Sequence, residues 1–164
     1  MTAANLGAWL LKGNADRVDL AERFGHDPRV ETWCVQPGYR ARLMGRGQRV
    51  VFWASGSRGR VAYGVWGCGV VTGPVELDAA DGRWRVPLDL TIAAPTEWVP
   101  RQELRADPRL ADAEVFRQPQ GSNPSFLTVA QFAALQDYLD DAPSTVATAT
   151  AAAADQAWGR QAAG

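Results

Sequence analysis

Arg49-Val50-Val51-Phe52-Trp53, the turn Gly56-Ser57-Arg58-Gly59, and the return from Val61 to Val71 form the stretch that decides the fold. A short apolar run bounded by turn residues, rich in β-branched and aromatic side chains, is the pattern of a strand buried on both faces. The glycine- and serine-rich turn sends the chain back along itself. In the returning segment Gly64, Gly67 and Gly69 interrupt the apolar residues. Such glycines point to bulges or to close approach by a neighbouring backbone, which a small, strongly curved sheet needs at its corners. The expectation is therefore a small twisted β-barrel.

The flanking segments extend this body. Trp9-Leu10-Leu11-Lys12 has the character of a short strand ending at the turn pair Gly13-Asn14. Asp16 is placed to cap a helix running to about Phe24, with Gly25 as its stop. A second short helix is expected after Pro37, carrying Tyr39, Arg40 and Arg42. From Trp84 to Ile92 every even-numbered residue is apolar and the odd ones are mostly polar. That period of two belongs to a half-buried strand and assigns Trp84 to the core. A short helix is expected from Pro100 to Leu104 and a strand at Val115-Phe116. Thr128 should cap a terminal helix with Val129, Phe132, Leu135 and Leu139 inward. The sum is an α+β chain, a twisted barrel of about five to six strands surrounded by short helices. Residues 1–141 form the domain, and 142–164, alanine and threonine with the isolated Trp158, have the composition of a disordered tail.

Composition sets the frame for function. A length of 164 residues with 46% apolar content and seven tryptophans supports one domain with a substantial core. No apolar run approaches the roughly 20 residues needed to cross a bilayer, and no signal-peptide pattern opens the chain. A cytoplasmic protein without a membrane partner is expected. Cys34 and Cys68 are then expected to be free, small core residues. Sixteen of the 17 basic residues are arginine, Lys12 being the exception. That skew carries no functional information.

The distribution of charge is more informative. Residues 32–75 hold Arg40, Arg42, Arg46, Arg49, Arg58 and Arg60 and no acidic residue, in a chain of net charge −1. Trp33, Tyr39, Trp53, Tyr63 and Trp66 lie among them. Guanidinium groups neutralise phosphates and flat rings stack on bases, so the combination suits nucleic acid. The same residues would also serve as scattered barrel surface and core rings.

Enzyme signatures are sparse. His26 is the sole histidine, beside Asp27-Pro28, and neither a serine elbow nor a second histidine accompanies it. Gly67-Cys68-Gly69 through Gly73 echoes a dinucleotide loop, but Pro74 and Val75 stand where a helix must begin. Gly56-Ser57-Arg58-Gly59 lacks the lysine and spacing of a phosphate-gripping P-loop. No catalytic residue, metal site or cofactor is expected. The competing enzymatic reading is a nuclease or hydrolase using acids such as Glu97 and Glu103.

Five segments in order resemble one family. Trp9-Leu10-Leu11-Lys12-Gly13-Asn14 resembles the opening strand of EVE domains, members of the PUA-like barrels related to YTH domains. Thr32-Trp33-Cys34-Val35 with Tyr39-Arg40-Ala41-Arg42 is similar to their tryptophan ahead of a Tyr-x-Ala-Arg helix. Gly47 to Ser55 resembles the next family strand, and Gly64 to Gly73 the returning one. Arg117-Gln118-Pro119-Gln120-Gly121-Ser122-Asn123-Pro124, followed by Leu127-Thr128 and Phe132, resembles the closing Arg-Gln loop and helix. The likeness spans about Ala8 to Leu139. One departure is Gly13, where many EVE and YTH members carry serine, so a hydroxyl contact to a base is missing.

The resemblance implies a PUA-like fold and a non-catalytic reader that holds a modified base, swung out of its helix, in an aromatic pocket. It implies a base site at Trp33, Lys12, Gly13, Asn14 and Cys34, with Trp53 or Trp66 as second wall. It places Arg40, Arg42, Arg117, Gln118, Gln120, Gly121 and Ser122 toward phosphate. Arg40 and Arg42, two apart on a helix, cannot face the same way, so one should meet phosphate and the other pair internally. The expected ligand is DNA containing 5-methylcytosine, and the alternative is RNA with a methylated adenine. The expected location is cytoplasmic, on the nucleoid when DNA is bound. An effector protein is possible, and nothing in the chain specifies one.

Overall fold

The computed structural model describes residues 1–141. The alanine–threonine segment 142–164, with Trp158 and its expected disorder, lies outside them. The strands are β1 (Leu6–Asn14), β2 (Arg29–Cys34), β3 (Arg49–Ser55), β4 (Gly64–Val71), β5 (Glu76–Asp78), β6 (Arg83–Ile92), β7 (Val99–Pro100) and β8 (Ser125–Thr128). The helices are α1 (Leu20–His26), α2 (Tyr39–Leu43), α3 (Arg101–Ala106), α4 (Glu114–Arg117) and α5 (Val129–Asp140). This is an α+β fold around one mixed sheet. The main path runs β2-β6-β4-β3-β1-β8, with β5 added to β6 and β7 to β4. Among the described residues only β1 and β3 pair in parallel, and every other pairing is antiparallel. The hydrogen-bonded path is open, so the expected barrel is not sealed by a ladder between its ends.

The deciding stretch behaves as its composition demands. β3 is buried on both faces and pairs β4 antiparallel, with a bulge between Phe52 and Trp53. Gly67 and Gly69 sit against Ile92 and Leu90 of β6, and a Cβ on either glycine would strike the backbone oxygen of Thr91 or Asp89. Close backbone approach is thus the reason for these glycines.

Alternation along β1 and β3 feeds two cores. Trp9, Leu11, Val50 and Phe52 point into the curve of the sheet, where they meet Phe24, Val30, Trp66, Val86, Leu88, Leu90 and Ile92. Ala8, Leu10, Val51 and Trp53 point the other way, under Leu104, Leu110, Val115, Leu127 and Leu135. A strand between two apolar layers needs both faces apolar, which is why its sequence lacks a polar side.

Several local expectations need correction. α1 begins at Leu20 and is capped by Asp19, whose side chain accepts from Glu22 N–H. Asp16 is engaged elsewhere, accepting from the Tyr63 hydroxyl at 2.6 Å and the Ser57 N–H at 2.7 Å. Val115 and Phe116 lie in α4 rather than a strand. Trp84 is exposed: the alternation holds from Val86 to Ile92, but Trp84 lies beyond the core, where β6 pairs with the short β5. Cys68 is exposed on β4 and Cys34 half-buried, both free, so neither is a core residue. Thr128 caps α5 as expected, within a capping box in which Thr128 accepts from Gln131 N–H and Gln131 accepts from Thr128 N–H, but Val129, expected inward, is exposed at the first turn of the helix. No helix among the described residues is long and apolar enough to cross a membrane.

Candidate nucleic-acid interface

The sheet path ends at β2 and β8, and beyond the Leu10–Ser125 pair β1 has no ladder partner on its β8 side; there a seam faces β2, beside an open cleft of about 460 Å³. Lys12, Gly13 and Asn14 line one side and Thr32, Trp33 and Cys34 the other. Arg23, Arg83, Arg85 and Asn123 complete it. Five of the seven expected base-site residues therefore gather in one place.

Trp33 is the fixed element. Its indole Nε1 donates to the Lys12 carbonyl at 3.0 Å across the seam. Phe52 packs edge-on with ring centroids 4.9 Å apart and planes at 86°, and Phe24 lies 6.5 Å away. An aromatic ring tied at its polar atom and wedged by two others keeps a defined plane. Gly13 is required beside it. A Cβ there would lie 2.6 Å from the Phe52 ring, 2.8 Å from a Leu20 methyl and 3.1 Å from Trp33. Tight packing under Trp33 leaves no room for a serine at this position.

Asn123 bridges the seam. Continuing the β1–β8 register from Leu10 opposite Ser125 by two residues puts Asn123 opposite Lys12. There its side chain does what a backbone peptide would do: Oδ1 accepts from Lys12 N–H at 3.1 Å, and Nδ2 donates to Lys12 O and Cys34 O, each at 3.2 Å. Its own carbonyl accepts from Gln36 N–H at 2.7 Å. One amide thus satisfies edge groups of both strands that water would otherwise have to reach.

The charges around the cleft share one sign. Lys12 donates from Nζ to the Gly121 carbonyl at 3.1 Å. Burial holds its ammonium below the ordinary lysine value, with Glu114 opposing and Arg40 reinforcing the shift. Arg85 is held by Asp78 at 3.0 Å and Asp81 at 2.6 Å, which stiffens it. Arg83 is more exposed and only 3.9 Å from Asp81. Arg23 makes no ion pair among the described residues, and its guanidinium lies 5.8 Å from the Trp33 ring centroid. Among the described residues no carboxylate lines the cleft.

Other expected residues lie elsewhere. Trp53 and Trp66 cannot form a second wall. Trp53 is 5% exposed on the opposite face of the sheet against Phe116, and Trp66, 1% exposed, stacks on Trp98 at 3.8 Å in the inner core. Of the helical pair, Arg40 is the internal one. It grips Glu114 through two hydrogen bonds of 2.7 and 2.9 Å and reaches the Pro124 carbonyl. Arg42 is exposed but faces a separate small apolar pocket with Trp84, Val75 and Pro37. Arg117 donates to the Asp112 carbonyl at 3.0 Å and does not line the cleft. In the loop, Gln118 N–H is bound by Glu114 O and Gly121 N–H by Gln118 O, so neither is free for phosphate. Exposed Gln120 and Ser122 have N–H groups without an intramolecular partner among the described residues.

Arg23, Thr32, Arg83, Arg85 and Asn123 escaped the sequence reading as site residues. Arg83 and Arg85 stand at the polar positions of the period-two strand, a pattern that marks an outer face without saying what borders it. Asn123 lies within the Arg-Gln loop but carried no separate signal. Among the described residues no group of three or more His, Cys, Asp and Glu is placed to hold a metal ion.

Solved structures share the fold. A protein from Pseudomonas putida matches with TM-score 0.59 and 17% identity over 80% of this chain and 99% of its own. A hypothetical protein from Leishmania major matches with TM-score 0.57 and 19% identity over 85% and 98%. A protein from Agrobacterium tumefaciens gives 0.52 and 19% over 78% and 89%. Identities this low speak for the architecture alone. The chain matches no family model and no curated protein.

Proposed function

We propose that the chain is an EVE-like member of the PUA-type barrels and reads a modified base in nucleic acid without making or breaking bonds, with 5-methylcytosine in DNA as ligand. The observation that carries this reading is Trp33, held by Lys12 and Phe52 at the rim of a seam whose charged lining is wholly cationic. A flat ring lining such a cleft offers about 1–3 kcal/mol of stacking to an extruded base. The cations supply the attraction for phosphate that any such complex requires.

The physics of selectivity follows from the site. A methyl group buried against a ring is worth only about 1 kcal/mol. The remaining discrimination must come from hydrogen bonds to the base edge; Asn14 lies along the cleft with an amide nitrogen that has no partner among the described residues, whereas the Gly13 and Cys34 carbonyls already accept from Ser55 and Asn123. One cleft takes one base, so flanking sequence should matter little. The five sequence segments shared with EVE domains support the same reading, since two of them supply the two sides of the seam.

The test is direct titration with matched DNA and RNA oligonucleotides, each with and without one methylated base. Tighter binding to 5-methylcytosine DNA is the expected result. Preference for methylated adenine in RNA would move the ligand to the alternative class, and equal affinity for methylated and plain strands would overturn the reading.

A further inference from the structure

We infer that Arg23 is the second wall of the cleft, and that the cleft therefore accepts a neutral base and rejects a cationic one; this rests on the base-reading proposal above. Trp33 is the only ring among the residues lining the cleft. Trp53 and Trp66 are buried in the cores, and no second aromatic lines the cleft among the described residues. Arg23 stands in that place. Its guanidinium carbon lies 5.8 Å from the Trp33 centroid and 5.6 Å from that of Phe24. It is exposed and makes no ion pair among the described residues, so it can swing outward as a base slides in. A planar guanidinium stacks on a base as it stacks on a ring.

The charge of the wall decides the class of ligand. Lys12, Arg23, Arg83 and Arg85 line the cleft, and the acids Asp78 and Asp81, which do not line it, are bound to Arg85. A neutral base presents a π face that attracts a guanidinium. A base carrying a positive charge meets Lys12 and Arg23, neither of them in an ion pair among the described residues, while Asp78 and Asp81 offset Arg83 and Arg85. The same arrangement excludes methylammonium groups, whose cages need acids and several rings.

Three short single-stranded DNA probes identical except for one central residue would decide it: cytosine, 5-methylcytosine, and 3-methylcytosine, which is protonated at neutral pH. Affinities are measured by fluorescence anisotropy for wild type, Arg23→Ala and Arg23→Glu, whose exposed site should leave melting temperatures unchanged. Wild type should bind the 3-methylcytosine probe about tenfold more weakly than the 5-methylcytosine probe. Arg23→Ala should lose roughly two- to fivefold on 5-methylcytosine. Arg23→Glu should shift the ratio of the two methylated probes toward the cationic one. If wild type fails to prefer 5-methylcytosine over cytosine, the proposed ligand is wrong. The ratio of 3-methylcytosine to cytosine in wild type and Arg23→Glu then still decides the role of Arg23. An unchanged ratio in Arg23→Glu, or wild-type affinity for the cationic probe equal to that for the neutral ones, overturns the inference. Failure of all three probes to bind overturns both proposals.

Discussion

Replacing Asn123 by alanine removes the amide that spans the seam between β1 and β2. Three hydrogen bonds vanish, those to Lys12 N–H, Lys12 O and Cys34 O. Their loss is unequal. The Lys12 carbonyl keeps the Trp33 indole at 3.0 Å, whereas Lys12 N–H and the Cys34 carbonyl lose their Asn123 partner. An orphaned buried group costs about 1–3 kcal/mol, and in a half-open cleft water recovers part of it, so the sum is about 2 kcal/mol. For a domain of this size that corresponds to a fall in melting temperature of about 5–8 °C. Thermal unfolding followed by circular dichroism measures it, with Ser122→Ala, an exposed neighbour, as the baseline. The loosened seam should also let Trp33 tilt, weakening binding of a methylated probe more than that of its plain counterpart. A melting temperature within a degree of wild type would refute the argument that Asn123 holds the seam, and unchanged selectivity would detach the seam from the site.

Trp33→Ala should abolish preference for the modified base, with a loss of about 1–3 kcal/mol on the methylated probe; a folded variant that keeps its preference would place the ring's role elsewhere. Arg83→Ala should weaken methylated and plain strands alike and flatten the salt dependence by about one unit of slope. Arg117→Ala, bound to Asp112 outside the cleft, should change neither. Burial pushes the Glu114 carboxyl up, but hydrogen bonds from Arg40 and Ser125 outweigh it and hold the group below its ordinary 4.5. With a depressed folded pKa, the unfolded chain takes the proton first, so this stabilisation is full above about pH 4.5 and drains away as pH falls through the lower folded value. Glu114→Gln should therefore melt lower at neutral pH and show a shallower decline between pH 5 and 3; parallel curves for the two proteins would count against the pairing.

Sequence patterning captured those elements whose burial is uniform along their length. β3 was legible because a strand between two apolar layers admits no polar face, and β4, exposed at Cys68, through glycines that backbone crowding keeps small. β2 was not. Arg29 to Cys34 has one fully buried side chain, Val30, and a bulge between Val30 and Thr32 breaks the alternation. Trp84 failed for the opposite reason: its position fits the period, but the core ends one pair earlier. Periodicity reports which face a side chain shares and is silent on where the opposing layer stops.

The site was legible through Lys12, Gly13, Asn14, Trp33 and Cys34, and the charge argument that first suggested nucleic acid pointed at other residues. None of the six arginines between residues 32 and 75 lines the cleft. Arg40 is consumed by Glu114, an acid more than seventy positions away and invisible to a window that contains no acids. The arginines that do line the cleft, Arg23, Arg83 and Arg85, come from segments where acids are interspersed, and two of those acids orient Arg85. Local charge excess is therefore a weak guide to a surface assembled from distant strands. What brings these residues together is the missing rung between β1 and β2. Where β1 runs past the end of β8 its backbone has no ladder partner on that side, and here a tryptophan and an asparagine link it to β2 through their side chains. Enlarging that gap costs stability through Asn123, and filling it from below is blocked at Gly13. The same contacts that keep the fold from sealing thus keep the cleft open to a flat ligand.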